Sequence, residues 1–136
     1  MVSAYVLDGF AIPEGLAELQ ELLARASREH PDVAADSFAL FETAVLEIAN
    51  NVVEHGRPEG KVRWQFELRV TDEALEATLS DDSGAHFTGD LHPEMPDELA
   101  ESGRGLALAS ALLESLEYER RDGTNHWHMV ARRPAG

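Results

Sequence analysis

Cysteine is absent from this 136-residue chain, which excludes disulfides, thiolate-ligated metals and cysteine nucleophiles and agrees with a reducing compartment. Basic residues are few. Eleven stand against 26 acidic ones, and the formal net charge of -15 repels nucleic acid backbones and anionic membranes. No nucleic acid or membrane partner is therefore expected. No apolar run approaches the roughly 18 residues that cross a bilayer, and Met1-Val2-Ser3-Ala4-Tyr5 lacks the basic segment and apolar stretch of a secretory signal. A soluble, cytoplasmic protein is the expectation. Repeats, low-complexity tracts and linkers are missing too, so residues 1–136, with 43% apolar and 27% charged side chains, read as one domain with its own core.

What is present is periodic. After a short first segment, Leu16, Leu19, Leu22, Leu23 and Ala26 recur at helical spacing until Pro31 stops the helix. A second helix starts between Asp32 and Asp36, either of which can cap it, and ends at His55-Gly56, where glycine suits a left-handed turn. From Val62 to Val70 every second residue is apolar, the pattern of a half-buried strand. Leu75, Ala77 and Leu79 repeat it after a short connection, which predicts an antiparallel hairpin. Residues 82–103, rich in Gly, Pro, Asp and Glu, read as a long loop. A third helix covers Gly103 to Ser115, and a last hairpin joins Leu116–Arg120 to His126–Arg132 around Asp122-Gly123. The fold class implied is α+β: a two-layer sandwich with a mixed, mostly antiparallel sheet covered on one face by helices.

Four places carry candidate chemistry. The second helix is apolar almost all round from Phe41 to Val53, yet Glu47, Asn51 and His55 interrupt it at i, i+4 and i+8, in one row along a face. A buried carboxylate needs a partner. In a pocket wall, Asn51 Oδ1 suits a divalent metal and Glu47 suits a hydroxyl to be deprotonated; in a plain core the two satisfy each other or a helix end. A zinc site of Glu47 with His55 is the weaker idea, since no second ligand pair is spaced for it. Next come Asp81-Asp82-Ser83-Gly84 at a strand end, where an acid can accept from the amino group of a base and Gly84 lets the backbone approach it. Third is Ser102-Gly103-Arg104-Gly105-Leu106, opening a helix whose N–H groups suit phosphate oxygens, with Arg104 available for a charge-assisted bond. Fourth is Gly123-Thr124, where a hydroxyl can reach the same base. Each has an ordinary structural reading as a turn or cap. Trp64 and Trp127 fit strand core positions.

Taken in order, these segments resemble the Bergerat, or GHKL, ATP-binding superfamily: Glu47-Ile48-Ala49-Asn50-Asn51, then Asp82-Ser83-Gly84, a lid-length loop, Gly103-Arg104-Gly105, and Gly123-Thr124. The short chain, His55 and the run Gly103-Arg104-Gly105-Leu106 look like the anti-sigma-factor serine/threonine kinases within it. That resemblance implies ATP and Mg²⁺ as cofactors, with Asn51 on the metal and Glu47 as catalytic base. It also implies an aspartate at 81 or 82 on the adenine amino group and the amides of Gly103 and Gly105 on phosphate oxygens. The implied activity is transfer of the γ-phosphate to a serine or threonine of a STAS-domain anti-sigma-factor antagonist, with sequestration of a sigma factor or similar regulator; a homodimer is a further expectation.

Two departures qualify the resemblance. Strand alternation turns Asp81 inward, whereas the motif spacing to Gly84 and Phe87 selects Asp82, favoured here on the assumption of a local bulge. Glu101 stands where some of these kinases carry arginine, and an acid there repels a γ-phosphate unless Arg104 compensates. Glu101 favours the alternative of a nucleotide-binding partner-switching module with little or no phosphotransfer.

Overall fold

In the computed structural model, which describes residues 2–56, 61–84, 87, 91–92 and 104–133, the alternating segments become a five-stranded sheet. The elements run β1 (Ser3–Phe10), α1 (Pro13–Glu29), α2 (Ala35–Gly56), β2 (Arg63–Val70), β3 (Ala74–Asp81), α3 (Arg104–Leu112), β4 (Ser115–Arg121) and β5 (Thr124–Arg132). Strand order is β1-β2-β3-β5-β4. In β2 the buried residues Trp64, Phe66, Leu68 and Val70 face the helices and their neighbours face water, as period-2 alternation requires. The α+β sandwich is thus as expected from the sequence.

Two details differ. The first segment is a strand, β1, paired along its whole length with β2 from Ser3↔Val70 to Phe10↔Arg63. Its alternation is blurred because Val6 and Phe10 are apolar yet exposed on the face opposite buried Tyr5. The second difference is that every pairing is antiparallel, where a mixed sheet was expected. The cause is the last hairpin. Asp122 (φ 54°) and Gly123 (φ 77°) are both left-handed, the geometry of a tight two-residue turn, and the hairpin docks with β5 between β3 and β4, so β3 and β4, which run the same way, are not neighbours.

Helix α1 opens with Pro13 in its first turn, buries Leu19, Leu22, Leu23 and Ala26, and ends before Pro31. Asp36 falls in the first turn of α2, while Asp32 pairs instead with Arg133 at 2.9 Å. Phe38, Phe41, Val45 and Ile48 of α2 enter a core shared with Leu19, Leu23, Phe66 and Met129. Gly56 ends α2, but Gly123 is the one left-handed glycine among the described residues. At 56 the space is tight instead: a Cβ there would stand 3.0 Å from Val62 Cγ2, so a larger residue would require Val62 to give way. Among the described residues no helix is long and apolar enough to cross a membrane.

Gly15, buried in the first turns of α1, is tighter still. A Cβ there would overlap the Phe10 carbonyl oxygen and lie 3.1 Å from the Trp64 ring. An exposed helical Gly→Ala ordinarily stabilises. Gly15→Ala is expected instead to destabilise by about 1–3 kcal/mol, the cost of overpacking, measured as a lower urea midpoint at unchanged slope.

Candidate functional site

Because α2 packs its apolar sides into the core, the row Glu47, Asn51 and His55 is left facing the sheet's far end, half-buried at Glu47 and Asn51 and exposed at His55. The start of α3 lies directly against it. A Cβ on Gly105 would run into Glu47 Oε2 and come within 3.5 Å of its Cδ, so a side chain there would require that carboxylate to shift. The positive end of the α3 dipole thereby meets an anionic side chain. The structure brings Glu47 and Gly105 together as the sequence order suggested.

At the end of β3, Asp81 points inward and is 3% exposed. Its Oδ1 accepts from Ser83 N at 3.0 Å and from Asn125 Nδ2 at 2.9 Å. Burial raises its pKa above the ordinary carboxylate range, and the hydrogen bonds from Asn125 and Ser83 oppose that rise. No bulge intervenes: the β2–β3 register runs unbroken from Val70↔Leu75 to Trp64↔Asp81. Asp82 therefore turns away, exposed, and its Oδ1 accepts from Arg63 N at 2.9 Å. The bulge assumed for Asp82 is absent, and the strand alternation is what foretold the inward direction of Asp81.

The β4–β5 hairpin completes the site with residues that the sequence reading missed. Asn125, 3% exposed, is opposite Asp81 in the β3–β5 pairing. Arg120 Nη1 donates to Asn125 Oδ1 at 2.9 Å and to the Ser83 carbonyl at 3.0 Å, and the Tyr118 hydroxyl donates to Asn125 Oδ1. Thr124, expected to reach a base, sits one place out of phase and lines a groove on the opposite sheet face with Asp82 and His126. Buried Trp127 and Met129 fix the phase of β5, and counting back by two from them would have found Asn125.

Asn51, His55, Asp81, Tyr118 and Trp127 share a narrow cleft, and Phe87 leans on it with its ring 5.4 Å from Trp127 and 5.8 Å from Tyr118. Its volume of about 20 Å³ has room for about one water. Trp127 thus packs in the core, as expected, while also walling the cleft. Leu106 is buried in the core at 8% exposure. Gly84 is exposed in the turn after β3. Arg104 begins α3; Gly103 and Glu101 lie outside the described residues. Among the described residues no group of three or more His, Asp and Glu is placed to hold a metal, which leaves the zinc reading of Glu47 and His55 without a ligand set.

The sequence profile of the histidine kinase-like ATPase domain family matches residues 11–131, and the chain belongs to that family. Membership implies ATP binding. A structure of the RsbU and RsbW domains of Rv1364c from Mycobacterium tuberculosis is similar, with a TM-score of 0.68 and 18% identity over 98% of this chain. This chain spans 34% of that one. The mycobacterial sensor histidine kinase MprB is also similar, with a TM-score of 0.51 and 18% identity, covering 96% of this chain and 100% of that one. At such identities the likeness shows a shared fold. No curated protein matches the chain by sequence.

A raised carboxyl pKa fixes a sign. The folded protein holds the Asp81 proton to higher pH than the unfolded chain does, so this group's contribution to stability falls as pH rises from the ordinary value of 3.8 through the raised one. Asp81→Asn keeps an oxygen to accept from Ser83 and Asn125. The variant is expected to fold and to gain stability relative to the parent as pH rises through that window, read from paired urea melts; a constant difference across the window would contradict it.

Proposed function

We propose that this chain is an Mg-ATP-dependent protein serine/threonine kinase of the anti-sigma-factor type. The observation that carries the reading is the convergence of the Glu47–Asn51 helix face, the first turn of α3 at Gly105 and the buried acid Asp81 on one end of the sheet. Asp81 Oδ1 is occupied by protein donors, which favours Oδ2 as acceptor for the adenine amino group. A purine is far larger than the present cleft, so Phe87 must leave Tyr118 and Trp127 as the base goes in.

The donor set suits Mg²⁺ rather than a protein-only metal cage: Asn51 offers one amide oxygen, and a magnesium ion commonly takes one or two protein ligands with phosphate and water. When bound, the ion neutralises charge on the phosphates, which matters on a chain of net charge -15. By the family resemblance the amides of Gly103 and Gly105 take phosphate oxygens without adding a cation, with Arg104 as a further donor, and of these Gly105 lies in the first turn of α3. Glu47, beside Gly105, accepts the proton of the incoming serine or threonine hydroxyl. As that proton leaves, the hydroxyl oxygen bonds to the γ-phosphorus, the bond to the β-phosphate oxygen breaks, and ADP departs.

For the partner, the structural likeness to a chain carrying an RsbW domain and the family's motif order support a STAS-domain antagonist as substrate and a sigma factor or similar regulator as the sequestered protein. A cytoplasmic location follows from that role. Glu101 supports a second reading, a nucleotide-dependent partner-switching module with slow or no transfer.

Two substitutions separate these outcomes. Asn51→Ala is expected to weaken Mg-ATP binding by at least about tenfold in calorimetric titration. Glu47→Ala is expected to keep nucleotide bound while labelling of a STAS-partner serine falls by roughly 10²–10⁴-fold. Equal labelling by Glu47→Ala and wild type would remove Glu47 as the base. Tight capture of a partner by the wild type with no labelling would select the second reading.

A further inference from the structure

A carboxyl group in a cleft can serve a purine in two opposite ways: ionised, it accepts from an exocyclic amine; protonated, it donates to a carbonyl. Which one holds decides between a 6-aminopurine and a 6-oxopurine. In this protein the choice is tied to the β4–β5 hairpin. Arg120 has donors and no acceptor, and its Nη1 lies 2.9 Å from Asn125 Oδ1. The Tyr118 hydroxyl accepts from Phe87 N at 3.1 Å and turns its own proton to the same amide oxygen. Two donors on Oδ1 fix the amide's orientation. Asn125 Nδ2 must then face Asp81, and it donates to Oδ1 of that carboxylate at 2.9 Å. The opposite amide orientation would set a carbonyl oxygen against Asp81 and require a proton between them.

We infer that Arg120 and Asn125 form a positioning relay that holds Asp81 as a hydrogen-bond acceptor, and that the relay makes the cleft select a 6-aminopurine nucleotide over a 6-oxopurine one. This rests on the reading of Asp81 as the acid that holds the base. Arg120 also grips the Ser83 carbonyl at 3.0 Å, so the same guanidinium anchors the turn whose Ser83 amide donates to Asp81. It sits on the edge strand β4 and is itself exposed, so its replacement leaves the core intact.

The test is calorimetric titration of Mg-ATP and of Mg-GTP into the full chain as wild type, Arg120→Met, Arg120→Lys and Asn125→Asp, with thermal melting of each. The wild type is expected to prefer ATP. Arg120→Met, which removes one of the two donors to Asn125 Oδ1 and the grip on the Ser83 carbonyl, is expected to lower the ATP-to-GTP affinity ratio by about tenfold or more, chiefly by weakening ATP. Asn125→Asp, which places two carboxylates face to face, is expected to lower it as well. Arg120→Lys keeps a donor and should recover most of the preference. A ratio that stays at the wild-type value in Arg120→Met and Asn125→Asp, while melting temperatures fall, would show a purely structural hairpin brace and overturn the relay. If Asn125→Asp does not fold, the two Arg120 variants decide alone. Failure of the wild type to bind either nucleotide would sink the nucleotide reading and the relay together, whereas binding with an unchanged ratio sinks the relay only.

Discussion

The site depends on one desolvated carboxylate. Asp81 ends a strand whose inward phase is set by Leu75, Ala77 and Leu79, so the chain has no means of turning it to solvent without breaking the register with β2. A buried acid of this kind must be satisfied by donors or carry a proton. The protein supplies donors from two sides, the Ser83 amide next in sequence and the Asn125 amide across the sheet. The hairpin network of Tyr118, Arg120 and Asn125 is then a consequence: an amide used as a donor must itself be oriented, and orienting it takes groups that donate to its oxygen.

The other half of the site answers a different constraint, the negative charge of the whole chain. With a formal net charge of -15, a polyphosphate cannot be drawn in by a basic field. On the proposed reading, backbone N–H groups at the start of α3 and the Asn51 amide oxygen, suited to a hard cation, would hold phosphate without spending many basic residues. The Gly105 contact joins the two demands, because it sets the start of α3 directly against the carboxylate of Glu47.

Membership of the histidine kinase-like ATPase domain family places this arrangement in a class that binds ATP, and the similar mycobacterial structures share its fold. Around that shared fold the structure sets Asn125 opposite Asp81, braces Arg120 against it, and nearly closes the cleft with an aromatic cluster of Phe87, Tyr118 and Trp127. These residues are where its specificity is to be sought.

The sequence by itself determined the helices, four of the five strands, the final two-residue turn and the Glu47–Asn51–His55 row, because each is written in local periodicity or in turn chemistry. Strand β1 escaped, since Val6 and Phe10 put apolar residues on its solvent face as well as its buried one. Which of Asp81 and Asp82, and which of Thr124 and Asn125, points inward was decided by unbroken pairing with the neighbouring strands, which fixes the face of every side chain. Only the tertiary structure decided that Gly105 abuts Glu47 and that Arg120 reaches Asn125 and Ser83. Helix docking and cross-strand contacts join residues far apart in the chain, and no local pattern carries that information.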